Sequence, residues 1–128
     1  MSKRPRVLVA DDHAGIMTAI CRLLALDCEV VGTVTDGKQL LEAAQRLQPD
    51  AIVLDVNLPH VNGLDACRQM TRENPEIRVI VFTAMADPDI KEQALAAGAS
   101  AFVSKLAGAD ELLSTITRLC DDREPARN

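Results

Sequence analysis

The chain has 128 residues, of which 48% are hydrophobic, and its formal net charge is -5 at pH 7. This size and apolar content predict a single domain with one core, and its short apolar runs exclude a membrane-spanning helix, which needs ~20 residues. The scattered basic residues exclude the surface typical of direct DNA binding. The four cysteines include no C-x-x-C pair, which argues against metal clusters and redox motifs, so we expect the cysteines to be small residues of the core.

The first part of the chain predicts two strands, each followed by a helix. Arg6–Ala10 is apolar after its first residue and is typical of a buried strand, and residues 28–34 predict a second strand. Asp36 is the predicted N-cap of the second helix, with Gln39 three residues later, and this helix ends before Pro49. The apolar faces of the two helices are Ile16, Ile20, Leu23 and Leu24, and Leu40, Leu41, Ala44 and Leu47.

The rest of the chain repeats this alternation. The further predicted strands are Ala51–Leu54, residues 77–82 and residues 101–103. Asp87 and Pro88 predict a helix start, Gly98 predicts the left-handed end of the same helix, and a closing helix follows Asp110. The faces of the third and fifth helices are Leu64, Cys67 and Met70, and Leu112, Leu113, Ile116, Leu119 and Cys120.

Strands that alternate with helices imply right-handed crossovers and a parallel sheet covered on both faces. The repeated units share no motif, so we predict one doubly wound α/β domain rather than a solenoid. The whole chain, residues 1–128, is treated as this domain, with a core at about residues 5–121. Residues 122–128 are expected to be a polar tail or the start of a linker.

Polar residues follow the predicted strands where those strands end, and in such a sheet these ends share one edge. Three carboxylates there would repel by ~4 kcal/mol per pair at ~4 Å and an effective dielectric constant of about 20. A hard divalent cation such as Mg²⁺ compensates such charge through oxygen ligands, and a carboxylate can also attack phosphorus as a nucleophile. The residues are Asp11, Asp12, Asp55, Thr83, Ser104 and Lys105.

Four stretches match a known family in order: Asp11-Asp12, residues 54–63 (LDVNLPHVNG), Thr83-Ala84 and residues 98–105 (GASAFVSK). Over residues 5–121 the chain resembles the receiver domain of bacterial two-component response regulators. The "DDH" stretch, and a lysine followed by Leu106 rather than proline, resemble the receivers of LuxR-type (NarL/FixJ-like) regulators. The resemblance implies a flavodoxin-like (βα)5 sheet with strand order 2-1-3-4-5.

The resemblance also implies a phosphoacceptor and a metal site. Asp55 would take a phosphoryl group from a histidine kinase in a phosphorelay, so the chain would be a signalling switch that catalyses only its own phosphorylation and dephosphorylation. Asp12, Asp55 and the backbone carbonyl of Asn57 would hold Mg²⁺ or Mn²⁺, and Asp11 would act through a metal-bound water. The Asn57 side chain is expected to modulate dephosphorylation.

Further residues would bind the phosphoryl group and report its presence. The resemblance implies that Thr83, the backbone N–H of Ala84 and Lys105 contact the phosphoryl oxygens. Phe102 stands at the position of the switch aromatic, which turns inward when the threonine moves toward phosphate. Met85 would neighbour the phosphoryl group and limit the access of water.

The expected partners are a sensor histidine kinase, a second copy of the chain on phosphorylation, and DNA only indirectly, through an output domain absent from these residues. No membrane partner is expected, and without an export signal the predicted location is cytoplasmic. One alternative is a haloacid-dehalogenase-like phosphatase, although Asn57 stands where its second acid belongs. Another is a flavodoxin-type flavin carrier, although the required phosphate loop is missing. His13 and His60 are expected to be solvated.

Overall fold

The computed structural model describes residues 4–59, 61–84 and 87–121, which form a five-stranded parallel sheet with helices on both faces. The strand order is β2-β1-β3-β4-β5, so the predicted flavodoxin-like fold is confirmed. No helix in these described ranges is long and apolar enough to cross a membrane. The elements are β1 (Arg6–Ala10), α1 (Ala14–Leu24), β2 (Glu29–Val34), α2 (Gly37–Leu47), β3 (Ala51–Leu54), α3 (Gly63–Glu73), β4 (Arg78–Thr83), α4 (Pro88–Ala96), β5 (Ala101–Ser104) and α5 (Ala109–Asp121).

Two apolar cores lie on opposite faces of the sheet because successive strand residues point to opposite sides. Leu8 and Ala10 of β1 face the core that α2, α3 and α4 cover, whereas Val7 and Val9 face the core under α1 and α5. The central strands are buried on both faces, which explains why their sequences are continuously apolar. Cys28, Cys67 and Cys120 are buried as expected.

The helix ends follow local signals that the sequence displays. Asp36 Oδ1 accepts a hydrogen bond from Gln39 N at 2.7 Å, and Asp87 Oδ1 accepts one from Asp89 N at 2.9 Å. Pro88 is the first residue of α4, and Gly98, just after this helix, has a φ of +103°. These predicted caps are confirmed.

Three local features refine the sequence-based expectations. His13 is exposed but caps α1, because its Nδ1 accepts a hydrogen bond from Ile16 N at 3.2 Å. Helix α5 begins at Ala109 rather than after Asp110, since a short 3-10 turn over Lys105–Ala107 precedes it. Peptide bonds of the described residues are trans, including the one that follows Lys105.

The strand ends also shift slightly, and this shift defines the functional edge. Strand β4 covers Arg78–Thr83 rather than residues 77–82, and β5 reaches Ser104 because Thr83 and Ser104 pair across the two strands. Thr83 is therefore the last residue of a buried strand instead of the first residue of a loop.

Candidate functional site

Side chains from four different strand ends meet at the carboxyl edge of the sheet. Asp11 follows β1, Asp55 follows β3, Thr83 ends β4 and Lys105 follows β5. These strands are neighbours in the sheet, while β2 lies outside them at the far edge. Asp11 is 2% exposed, Asp55 8% and Thr83 0%, so the site holds two charged carboxylates that are nearly removed from water.

Lys105 joins the two buried acids. Its Nζ donates hydrogen bonds to Asp11 Oδ2 at 2.7 Å and to Asp55 Oδ2 at 2.8 Å, and it lies 6.0 Å from the centre of the Phe82 ring. Burial lowers the pKa of Lys105, but the hydrogen bonds and charges of Asp11 and Asp55 outweigh this effect, and the pKa is raised above the ordinary value for lysine. The site therefore holds an ammonium group between two carboxylates at neutral pH.

The second oxygen of each acid bonds to the backbone two residues later. Asp11 Oδ1 accepts from His13 N at 2.9 Å, and Asp55 Oδ1 accepts from Asn57 N at 3.0 Å. Asp55 Oδ1 also accepts from Thr83 Oγ1 at 3.3 Å. Each carboxylate thus has one oxygen fixed by the main chain and one oxygen held by a flexible lysine side chain.

The other predicted site residues surround this cluster or lie outside the described ranges. Asp12, Asn57 and Ala84 are exposed, and the backbone N–H of Asn57 donates to Asp55 Oδ1. Phe102 is half-buried and packs against the core that α2, α3 and α4 cover. Met85 and His60 lie outside the described residues, so the proposed role of Met85 stays a prediction.

The donor chemistry of this edge fits a hard divalent cation. The acids supply oxygen ligands, and Asp11 and Asp55 already gather around one cationic group, the Lys105 ammonium. Within the described ranges, no group of three or more Asp, Glu, His or Cys side chains is arranged as a metal cluster. The structure therefore brings together two of the three predicted carboxylates, and the role of Asp12 remains a prediction.

Sequence reasoning missed the apolar residues that surround Lys105. A cavity of about 200 Å³ lies beside the lysine and is lined by Ile16, Ala19, Ile20, Phe82, Lys105 and Ala109. Phe82 precedes Thr83 on β4, and its position next to a polar strand end could have suggested an aromatic group near the site. A larger cavity, about 540 Å³, lies away from these charges, between α2 and α3.

Comparison with known proteins gives matches over most of the chain. The family described as the response regulator receiver domain matches residues 7–117. The response regulator GacA of Pseudomonas viridiflava is 38% identical over 113 residues, which is 87% of this chain and 53% of GacA. The chemotaxis protein CheY of Thermotoga maritima is 32% identical over 101 residues, which is 78% of this chain and 84% of CheY.

Solved structures give the same result at the level of the fold. A LuxR-family two-component response regulator from Aurantimonas superposes with a TM-score of 0.88 at 25% identity, over 94% of this chain and 87% of that one. The signal receiver domain of the NarL regulator from Mycobacterium tuberculosis gives a TM-score of 0.87 at 29% identity, over 94% and 98% of the two chains. The chain spans about half the length of GacA.

Proposed function

The chain belongs to the response regulator receiver domain family, and we propose that it is a phosphorylation switch in which Asp55 is the phosphoacceptor. The LuxR-type resemblance expected from the sequence is supported by LuxR-family neighbours among the solved structures. Receiver domains are signalling modules of two-component systems rather than ordinary enzymes, and response regulators act with sensor histidine kinases. The donor of the phosphoryl group is accordingly proposed to be a histidine kinase.

One observation carries the proposal: Asp55 is a nearly buried carboxylate with three different donors around it. Lys105 Nζ contacts one of its oxygens, and Thr83 Oγ1 and Asn57 N contact the other. A phosphoryl group on Asp55 would place new anionic oxygens among these donors. Such donors stabilise the charge that phosphoryl transfer spreads over the equatorial oxygens.

The proposed transfer starts with attack of an Asp55 oxygen on the phosphorus of a phosphohistidine. The new O–P bond forms as the P–N bond breaks, and the electron pair of the broken bond returns to the imidazole nitrogen of the kinase. Lys105 has a flexible four-carbon stem, so its ammonium can follow the negative charge from Asp55 to the phosphoryl oxygens. Thr83 and the backbone N–H of Ala84 would donate to the remaining oxygens.

Mg²⁺ is the proposed cofactor, and Mn²⁺ would serve by the same oxygen chemistry. Asp12, Asp55 and the Asn57 backbone carbonyl would hold the ion, and Asp11 would bind it through water. When bound, the ion supplies positive charge next to the phosphoryl oxygens. Asp11 and Asp55 support this assignment because both carboxylates already share a cation, Lys105.

Phosphorylation is proposed to shift the domain between two conformations. A change from 1:99 to 99:1 requires ~5.5 kcal/mol of differential stabilisation, and new contacts of a dianionic group with Lys105 and Thr83 would contribute to it. Phe102, which is half-buried in β5, is the proposed switch aromatic. Asn57 and Met85 are proposed to modulate the lifetime of the phosphoryl group. A phosphorylation-dependent homodimer and an attached DNA-binding domain are further proposals.

The test is the reaction of the purified protein with acetyl phosphate or phosphoramidate in the presence of Mg²⁺. We expect intact mass spectrometry to show one added phosphoryl group, and Asp55→Ala to abolish this addition. Asp65→Ala, which changes an exposed acid of α3, is the matched control and should label normally. Undiminished labelling of Asp55→Ala would overturn the assignment, and continuous turnover of a phosphate ester would indicate a phosphatase instead.

A further inference from the structure

The loop that follows Asp55 is held between the first residues of two helices. We call residues 57–59 and 61–62 the acceptor loop, which connects the end of β3 to α3. Gly37 is the first residue of α2, and Gly63 is the first residue of α3. Both glycines are buried, and both approach backbone atoms of this region closely.

Gly37 packs directly against the backbone of the acceptor loop. Its N–H donates a hydrogen bond to Pro59 O at 3.1 Å. A Cβ atom at position 37 would lie 2.4 Å from Val61 O and 2.5 Å from Val61 Cβ, which is closer than real Cβ contacts allow. Because the atoms that it meets are a backbone carbonyl and a Cβ, no side-chain rotation relieves the clash.

Gly63 holds the other end of the acceptor loop. Its N–H donates to Val56 O at 3.1 Å, and a Cβ atom there would lie 2.7 Å from Val56 Cα and 2.9 Å from Asp55 O. The two residues just before the loop are therefore packed against α3, while Pro59 and Val61 of the loop are packed against α2.

Helix α2 resists displacement better than the acceptor loop does. The helix start is fixed by the 2.7 Å cap between Asp36 and Gln39, and Leu40, one turn later, is fully buried. The acceptor loop has no regular structure; its Leu58 is buried, but its Asn57, Pro59 and Asn62 are exposed. A methyl group added at position 37 would therefore displace the loop rather than the helix.

We propose that Gly37 is a positioning residue for the metal and phosphoacceptor site. It acts through the acceptor loop, which begins at Asn57, and Asn57 N donates to Asp55 Oδ1 at 3.0 Å. The inference rests on the proposed function, because the Asn57 carbonyl is a proposed Mg²⁺ ligand. A glycine at the start of α2, remote in sequence from Asp55, thereby sets the position of two groups at the site, the Asn57 N–H and the Asn57 carbonyl.

The first experiment is a titration of the Gly37→Ala variant with Mg²⁺ alone, monitored by calorimetry or amide NMR. Outer residues that orient metal ligands typically contribute tenfold or more to affinity, so we expect about a tenfold rise in the dissociation constant. The Asn57 amide resonance should also shift before any Mg²⁺ is added. Gly15→Ala is the matched control, because its methyl group would meet the His13 ring at ordinary contact distances, 3.4 Å from Cε1 and 3.7 Å from Nδ1.

A second variant keeps the test informative if Gly37→Ala does not fold. Asp36→Ala removes the cap that fixes the start of α2 without adding a methyl group, and we expect a smaller loss of Mg²⁺ affinity in the same direction. Mg²⁺ affinities and Asn57 resonances equal to those of the wild type would overturn the inference. Wild-type protein that takes no phosphoryl group would instead overturn the proposed function, because the Asn57 shift needs neither metal nor phosphodonor.

Discussion

Aspartates at the two edges of the sheet are satisfied in different ways. At the amino edge, Asp50 precedes β3 and bonds to the main chain on both sides of that strand. Its Oδ2 accepts from Arg6 N at 2.9 Å and its N–H donates to Arg6 O at 2.8 Å, while Arg78 N donates to Asp50 O at 3.3 Å. These contacts tie the starts of β1 and β4 to β3 and hold the strands in register.

At the carboxyl edge, Asp11 and Asp55 also use the main chain, but only for one oxygen each. The other oxygen of each acid bonds to Lys105, which has a flexible side chain. Hydrogen bonds to the main chain break only when the chain unfolds locally, whereas a flexible ammonium can move when another charged group enters the site. The difference teaches that an acid bonded to the main chain of the neighbouring strands supports the fold, and that acids which share a movable cation are suited to chemistry.

The largest expected effect comes from Lys105→Met, which removes the shared cation. Two nearly buried carboxylates would then repel each other without compensation, so we expect the free energy of unfolding to fall by about 3 kcal/mol without Mg²⁺. Added Mg²⁺ should recover much of this loss, because an ion that binds only the folded state stabilises it. The measurement is urea denaturation monitored by circular dichroism, because the chain has no Trp or Tyr whose fluorescence could report unfolding.

Lys91→Met provides the control for this prediction. Lys91 is exposed on α4, so its loss should change the free energy of unfolding by no more than about 0.5 kcal/mol. Equal losses in the two variants would contradict the special role of the Lys105 ammonium. A Lys105→Met defect that Mg²⁺ does not reduce would contradict the idea that this cation is exchangeable.

A smaller effect, which does not respond to metal, is expected from Asp50→Ala at the amino edge. The substitution leaves Arg6 N without its carboxylate acceptor, which should cost about 1.5 kcal/mol. Neither Mg²⁺ nor acetyl phosphate should alter this cost, and labelling of Asp55 should remain at one phosphoryl group. Asp65→Ala, which removes only an exposed ion pair with Arg68, should cost less than about 1 kcal/mol. Weaker labelling of Asp55 in the Asp50→Ala variant would show that the two edges are coupled.

The alternation of strands and helices was predictable because it depends on signals within a few residues. Continuous apolar strands, the caps at Asp36 and Asp87 and the glycine after α4 are all local, and all were confirmed. The small errors lie where neighbours decide the bounds. Ser104 joins β5 because it pairs with Thr83, and α5 starts early because a 3-10 turn precedes it.

The site was predictable as a set of strand ends, but not in its internal contacts. Adjacent acids cannot be ranked by burial from the sequence, and here Asp11 is buried while Asp12 is exposed. The bridge from Lys105 to both acids depends on distances between the ends of β1, β3 and β5, and the packing of Gly37 depends on a helix start and a loop that meet in space. These features arise from tertiary structure and leave no short pattern in the chain.

The smallest expected effect is a change with pH in the stability difference between the wild type and Lys105→Met. The pKa of Lys105 is raised in the folded state above its ordinary value of 10.5, so the folded protein binds more protons than the unfolded chain above that pH. The stabilisation from Lys105 is therefore fully present below pH 10.5 and is lost as the pH rises through the folded pKa.

Burial raises the pKa of Cys28 and of Cys67 from 9.0 to about 11, which lowers the stability of both proteins between those values. This thiol effect cancels in the difference between the two proteins. Denaturation curves from pH 8 upward should show a constant gap that narrows only above about pH 10.5, by at most about 1.4 kcal/mol per pH unit. A gap that narrows below pH 9 would mean that the two carboxylates do not hold the Lys105 ammonium in its charged form.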